Sequence, residues 1–271
     1  MPNEFDLKNI HGLVIDMDGV LWRGNSAIPG LNEFFDFMHR RRLPFMLATN
    51  NATKTPEQYL HKLAGFGVRT VTRDNILTSS LATAAYLQRD HRPGSKVYIV
   101  GQDGLRQAMQ EAGFMIMADA GQPVEVVVAG ADFTLTYDKL KYAAFLIRGG
   151  ARFVGTNGDL TFPSEEGLIP GAGSILAALE AATGVKPVTV GKPARLMFDL
   201  AIEKMDTRPE QTAMLGDRLE TDILGGQQAG LKTILVTTGI DNEAAIVQKG
   251  IQPDAVFSGI AELVEVWKTQ G

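Results

Sequence analysis

Apolar residues along this chain fall into two rhythms that alternate from end to end. Short runs such as Gly12-Leu13-Val14-Ile15 and residues 44–48 read as buried strands. Between them lie stretches of helical period. The first spans 31–42, with Leu31, Phe34, Phe35 and Met38 at core spacing and a basic last turn. Thr55-Pro56-Glu57 opens a second helix, with Thr55 as N-cap and proline at the first position, and Gly65 and Gly67 close it. Further strands are predicted over 96–100, 124–129, 152–155, 188–190, 212–215, 233–236 and 255–257. Helices are predicted over 105–112, 140–148, 196–204, 223–229 and 244–248. Such alternation predicts an α/β fold with parallel sheets covered by helices on both faces.

The strands differ in how they end. Those near residues 16 and 217 run into aspartates, and none between about 85 and 185 does. That middle stretch has three strands and at least two helices of its own. It predicts an α/β unit at 86–185, inserted into a domain formed by 1–85 and 186–271. Open parallel sheets bind ligands at the carboxyl ends of their strands. At those ends the sequence places Asp16-Met17-Asp18, Thr49-Asn50-Asn51, Gly191-Lys192-Pro193, and Gly216-Asp217-Arg218 followed by Glu220 and Asp222.

That set has a chemical logic. Clustered carboxylates repel one another and need a cation or a proton between them. With oxygen donors and no cysteine, the cation that suits is Mg²⁺. A lysine and a hydroxyl facing one point suit a phosphate oxyanion. One carboxylate can attack phosphorus, and a second can protonate the leaving oxygen and later activate water. Together they point to phosphoryl transfer.

Composition narrows the classes further. The 271 residues are 45% hydrophobic and 21% charged, which excludes disorder as the main state. A net charge of −5, with no basic tract beyond Arg40-Arg41-Arg42, argues against a nucleic-acid partner. The absence of cysteine removes disulfides, thiolate nucleophiles and cysteine zinc sites. Met1 to Trp22 carries Glu4, Asp6, Asp16 and Asp18 without a signal-peptide core. No apolar run approaches the roughly 18 residues of a membrane span, so a cytoplasmic protein with no membrane partner is expected. The four histidines form no metal-binding pair. Gly171-Ala172-Gly173-Ser174 lacks the third glycine of a dinucleotide loop and reads as a turn with Ser174 capping a helix.

Asp16-Met17-Asp18-Gly19-Val20-Leu21-Trp22 closely resembles the first motif of the haloacid dehalogenase superfamily. Thr49 resembles its second motif, Lys192 in Gly-Lys-Pro its third, and Gly216-Asp217-Arg218-Leu219-Glu220-Thr221-Asp222-Ile223 its fourth. The four stand in the family's order and draw on both ends of the chain. Their details resemble subfamily IIA, the branch of NagD-like and p-nitrophenyl phosphatases. The resemblance implies a Rossmann-like core with a C2-type α/β cap inserted between the second and third motifs, where 86–185 lies.

It also implies roles. Asp16 would be the nucleophile and an Mg²⁺ ligand. Asp18 would be the general acid and base, with its backbone carbonyl on the metal. Thr49 and Lys192 would hold the phosphoryl group, and Asn50 and Asn51 would line the same pocket. Asp217 would be a metal ligand, and Asp222 would orient metal waters and Lys192. Dehalogenases of this superfamily lack the second aspartate and need no metal, so Asp18 favours phosphate chemistry.

Related caps project a loop toward substrate from about 157–163, which makes Phe162 a specificity candidate; the alternative is a surface loop with Phe162 in the cap core. Residues 86–185 hold 8 Lys and Arg against 11 Asp and Glu, so they offer no positive field for polyanions and favour small monoesters. Caps of this kind often pair, so a homo-oligomer through the cap is a further expectation. The function expected is a Mg²⁺-dependent phosphatase that hydrolyses small phosphorylated metabolites through an aspartyl-phosphate on Asp16. A phosphotransferase or mutase using the same intermediate, or a non-catalytic module binding phosphorylated metabolites, are the alternatives left open.

Overall fold

The computed structural model describes residues 5–164 and 166–270. Met1 and Glu4, which enter the leader argument above, lie outside them. In chain order the first elements are β1 (Gly12–Ile15), β2 (Trp22–Arg23), β3 (Ser26–Ala27), α1 (Leu31–Arg41), β4 (Phe45–Thr49), α2 (Pro56–Gly65) and β5 (Ile76–Thr78). Then come α3 (Ser79–Gln88), β6 (Lys96–Val100), α4 (Asp103–Glu111), β7 (Met115–Met117), β8 (Val126–Ala129), α5 (Tyr137–Arg148) and β9 (Arg152–Gly155). A hairpin of β10 (Thr161–Ser164) and β11 (Gly167–Pro170) precedes α6 (Ala172–Thr183) and β12 (Val188–Thr189). The chain closes with α7 (Arg195–Met205), β13 (Thr212–Gly216), α8 (Leu224–Gln228), β14 (Lys232–Val236), α9 (Glu243–Lys249), β15 (Ala255–Phe257) and α10 (Ile260–Gln270).

These elements form two compact units. One comprises the chain up to Thr49, Tyr59–Leu77 and the chain from Lys192 onward; the other comprises Asn50–Gln58 and Thr78–Gly191. In the first unit a six-stranded sheet runs β15-β14-β13-β1-β4-β5, with β1 parallel to both neighbours. All four residues of β1 are buried, as a central strand covered on both faces requires. Leu13 and Ile15 face Phe34 and Met38 of α1 and Leu263 and Trp267 of α10 in one apolar core, while α7 packs on β1 and β4. The second unit has a five-stranded sheet, β12-β9-β8-β6-β7, in which every pairing is parallel. Val127, Ala129 and Phe153 of that sheet pack under Leu146 and Ile147 of α5 and Leu176 and Leu179 of α6. The α/β class with parallel, helix-flanked sheets is thus the one the alternating pattern predicts.

Several expectations need correcting. By compactness the second unit takes Asn50–Gln58 and Thr78–Gly191, a wider set than the 86–185 expected, because α3 packs on α4 and β12 pairs with β9 of that unit. The strand expected at 188–190 therefore belongs to that unit's sheet and ends at Thr189, so Lys192 is delivered by the segment beyond it rather than by a strand end. Ser174 is not a helix cap: Gly171 is the N-cap of α6, and the Ser174 hydroxyl donates to Leu160 O at 2.7 Å from inside the first turn. Part of the loop expected at 157–163 is strand β10, paired antiparallel with β11. Thr55 does cap α2, its hydroxyl accepting from Gln58 N at 3.4 Å while Gln58 Oε1 accepts from Thr55 N at 2.9 Å. No helix among the described residues is long and apolar enough to cross a membrane.

Candidate active site

The register of the central strands builds the site. Ile15 pairs with Leu215 on one side and Leu47 on the other, so β1, β13 and β4 end level. Asp16, Gly216-Asp217 and Ala48-Thr49 emerge side by side, and Asp16 N continues the ladder by donating to Leu215 O at 2.9 Å. From β1 the chain runs outward through β4, and it returns on the opposite side at β13. This is the topological switch point where open α/β sheets place their ligands.

Lys192, only 2% exposed, reaches into this edge. Its ammonium donates to Asp16 Oδ1 in a short contact and to Ala48 O at 3.0 Å, and it pairs with Asp222 Oδ1 at 2.7 Å. Asp222 lies on a π-helical turn, Leu219–Ile223, and its Oδ2 accepts from Arg218 N at 3.1 Å. Asp217 is fixed from the loop after β14: its Oδ2 accepts from Ile240 N at 2.8 Å, and its carbonyl accepts from Asp241 N at 3.0 Å. That loop is tied in turn to the π-helical turn, since Asp241 Oδ2 accepts from Leu219 N at 2.7 Å and Asp241 Oδ1 from Lys249 Nζ at 2.8 Å. A Cβ at Gly239 would overlap the Asp217 carboxyl, so only glycine lets the loop approach this closely.

Three buried carboxylates face one lysine, and their protonation reflects it. Burial is the largest influence on Asp16 and pushes its carboxyl well above the ordinary range. Lys192 pulls it down, and Asp222 and Asp217 push it further up. Burial, with Asp222 next, raises Asp217 to about 7 against the pull of the Ile240 N–H and Lys192. Burial opposes the Lys192 ammonium, but Asp16 and then Asp222 outweigh it and hold the lysine above its ordinary value. Three carboxyl groups thus share one resident cation. Carboxylate oxygens of Asp16, Asp217 and Asp222 lie within 4.8 Å of one another, a hard-oxygen set that fits a divalent ion such as Mg²⁺.

The other expected residues fall into separate surroundings. Asp18 is exposed, and its Oδ1 accepts from the Trp22 indole N–H at 2.7 Å rather than joining the carboxylate cluster. Thr49 closes β4 and is 4% exposed. Asn50 and Asn51 belong to the second unit. There Asn50 Nδ2 donates to Asp159 Oδ2 at 3.1 Å, and Asn51 Oδ1 accepts from Thr53 N at 2.9 Å. Phe162, on β10, meets Phe133 edge to face at 5.2 Å. Two contributors had no role in the sequence reading. Trp22 stands at the end of the first motif, and the loop 238–241 follows the apolar run of β14. The end of β14 is a fifth strand end of the same sheet, beside the ends that carry the motifs.

Known proteins resemble this chain along most of its length. Residues 13–115 match the family model for haloacid dehalogenase-like hydrolases, and residues 189–263 match one described as HAD-hydrolase-like. An acid sugar phosphatase of Staphylococcus saprophyticus is 36% identical over 259 residues, covering 96% of this chain and 98% of that protein. The crystal structure of a 4-nitrophenylphosphatase from Thermotoga maritima superposes with a TM-score of 0.91 at 36% identity, covering 97% of this chain and 99% of that one. NagD from Escherichia coli K-12 superposes with a TM-score of 0.86 at 35% identity, covering 93% and 98%.

Proposed function

This chain belongs to the haloacid dehalogenase-like hydrolases, in the NagD-like branch, and from that premise we propose that it is a Mg²⁺-dependent phosphatase acting on small phosphomonoesters through an aspartyl-phosphate on Asp16. The observation that carries the reading is the buried cluster of Asp16, Asp217 and Asp222 around Lys192 at the ends of the central strands. The names of the relatives, sugar phosphatase and 4-nitrophenylphosphatase, support phosphate-ester hydrolysis as the reaction class.

In this reading Asp16, Asp217 and the Asp18 carbonyl would hold the metal, and Asp222 steadies Lys192. The ion, when bound, would favour the ionised carboxylates and withdraw electron density from the phosphoryl oxygens. Lys192 and the Thr49 hydroxyl hold the phosphoryl group against Asp16. The Asp16 carboxylate attacks phosphorus as the ester oxygen leaves with the bonding pair, and Asp18 gives that oxygen its proton. Water then attacks phosphorus, Asp18 takes a proton from it, and the Asp16–phosphorus bond breaks with its electrons returning to the carboxylate. The second unit carries Asn50, Asn51 and Phe162 and is, in this reading, the cap that selects the leaving group.

The test is phosphate release from an aryl phosphate, with Mg²⁺ and then with EDTA, for the wild type and Asp16→Asn. Release that requires both the metal and Asp16 supports the reading. Undiminished release by Asp16→Asn refutes the nucleophile assignment.

A further inference from the structure

We propose that Trp22 is the positioning residue of the proton-transfer step, holding the Asp18 carboxyl in one orientation through its indole N–H. The proposal rests on the reading of Asp18 as general acid. Trp22 lies four residues beyond Asp18 and is 0% exposed. Its Nε1 donates to Asp18 Oδ1 at 2.7 Å. The backbone between them is a tight turn: Leu21 N donates to Met17 O at 2.8 Å, and Gly19 N to Trp22 O at 2.7 Å. Indole and carboxyl are therefore two ends of one closed loop.

The ring itself is clamped. It stacks on Tyr59 with centroids 6.3 Å apart and planes at 23°, and Phe66 packs on it at 6.1 Å. Lys62 Nζ stands 4.4 Å from the ring centroid. With the ring so held, its N–H can point in only one direction, and Asp18 occupies it. An indole N–H usually finds a partner when buried, but burial alone does not enforce one here. Trp267 is 1% exposed, and its Nε1 has no hydrogen-bond partner among the described residues.

The chemical consequence concerns which oxygen carries the proton. Oδ1 is engaged as the acceptor of the indole N–H, which leaves Oδ2 as the oxygen presented for proton transfer. The same hydrogen bond disfavours the rotation that would exchange the two oxygens. As the P–O bond to the leaving group breaks, the electron pair stays on the ester oxygen and the Oδ2 proton moves to it. That delivery matters most when the leaving group is a poor one.

The experiment compares Trp22→Phe, which keeps an aromatic ring in the clamp and removes the N–H, with Asp18→Asn and the wild type. The readout is kcat/KM, which ends at departure of the leaving group, on 4-nitrophenyl phosphate and on glycerol phosphate. General-acid help is worth about 10²–10⁴-fold. Trp22→Phe is expected to lose about tenfold or more of that on the alkyl ester and less than about threefold on the nitrophenyl ester. Equal losses on both esters, or none, overturn the proposal while a selective loss in Asp18→Asn leaves the general-acid reading standing. Full alkyl-ester activity in Asp18→Asn overturns both. If the phenylalanine variant melts well below the wild type, 3-benzothienylalanine at position 22 repeats the comparison, with sulfur replacing the N–H in a ring of the same shape.

Discussion

Lys192 is the residue on which the protonation of the site turns. In the sequence it is one lysine in a Gly-Lys-Pro triplet; in the fold it is buried between Asp16 and Asp222. Lys192→Met leaves the same three carboxylates with no resident cation. Its kcat/KM for an aryl phosphate should fall by about 10²–10³, as when a single charge-stabilising donor is removed from an active site. Retention of more than about a tenth of the activity would remove Lys192 from the phosphoryl-binding role. Phe162 presents the opposite case. The sequence offers it either as a specificity residue or as cap core, and its edge-to-face contact with a half-exposed Phe133 is compatible with both. Phe162→Ala should change the ratio of activities among alkyl and aryl phosphates more than activity on the smallest ester; a uniform change would favour the packing role. Asp16 and Asp217 were legible as strand-end acids because their apolar runs stop abruptly there. Trp22 and Asp241 were not, because they act through hydrogen bonds, Trp22 within its own turn and Asp241 to another loop, which residue type and spacing do not reveal.

Among the elements, those with a plain period were the readable ones. β1 is a short apolar run, and α1 carries its core residues on one face. α3 was missed because its apolar and small residues ring the helix without favouring a side, and five of its first six residues are buried. β10 was missed because Pro163 and its neighbours read as a turn, a composition an isolated two-stranded hairpin tolerates. α10 carries Ile260, Leu263, Val264 and Trp267 at helical spacing, so its signal was present in the sequence. Two predictions belong at this scale. Leu13→Ala removes a side chain buried between sheet and helices and should cost about 2–5 kcal/mol, read as a lower denaturant midpoint at unchanged slope. Gly239→Ala pushes the loop off Asp217 and should weaken Mg²⁺ binding about 10–100-fold by calorimetry while leaving the melting temperature of the metal-free protein nearly unchanged. A loss of stability with intact metal affinity would make the loop structural instead.

At the scale of the whole molecule, the buried acids link stability, pH and metal. Asp16 and Asp217 are both raised above the ordinary carboxylate value of about 4. Between that value and about 7 for Asp217, the folded chain holds a proton that the unfolded chain has released. The stability this supplies to the metal-free protein is fully present below about pH 4 and is lost as pH rises through about 7. A divalent ion reverses the balance because it needs the carboxylates ionised. Mg²⁺ should therefore raise the melting temperature more at pH 8 than at pH 6, and its apparent Kd should rise about tenfold per pH unit below about 7 if one proton must leave. A pH-independent Kd would place the metal elsewhere. An inserted unit was suggested by strands without acidic ends in the middle of the chain. Its limits were not, since α3 and β12 join the second unit through packing and strand pairing that local composition does not encode.

The most direct test of the central claim is to look for the phosphoryl group on Asp16. Protein quenched in acid during turnover of an aryl phosphate with Mg²⁺ would be digested and its peptides weighed. The account predicts one added phosphoryl group on the peptide carrying Asp16 in the wild type, its accumulation when Asp18→Asn slows the second step, and its absence in Asp16→Asn. Steady phosphate release with no phosphorylated Asp16 peptide at any quench time, or a phosphoryl group on another residue, would contradict it.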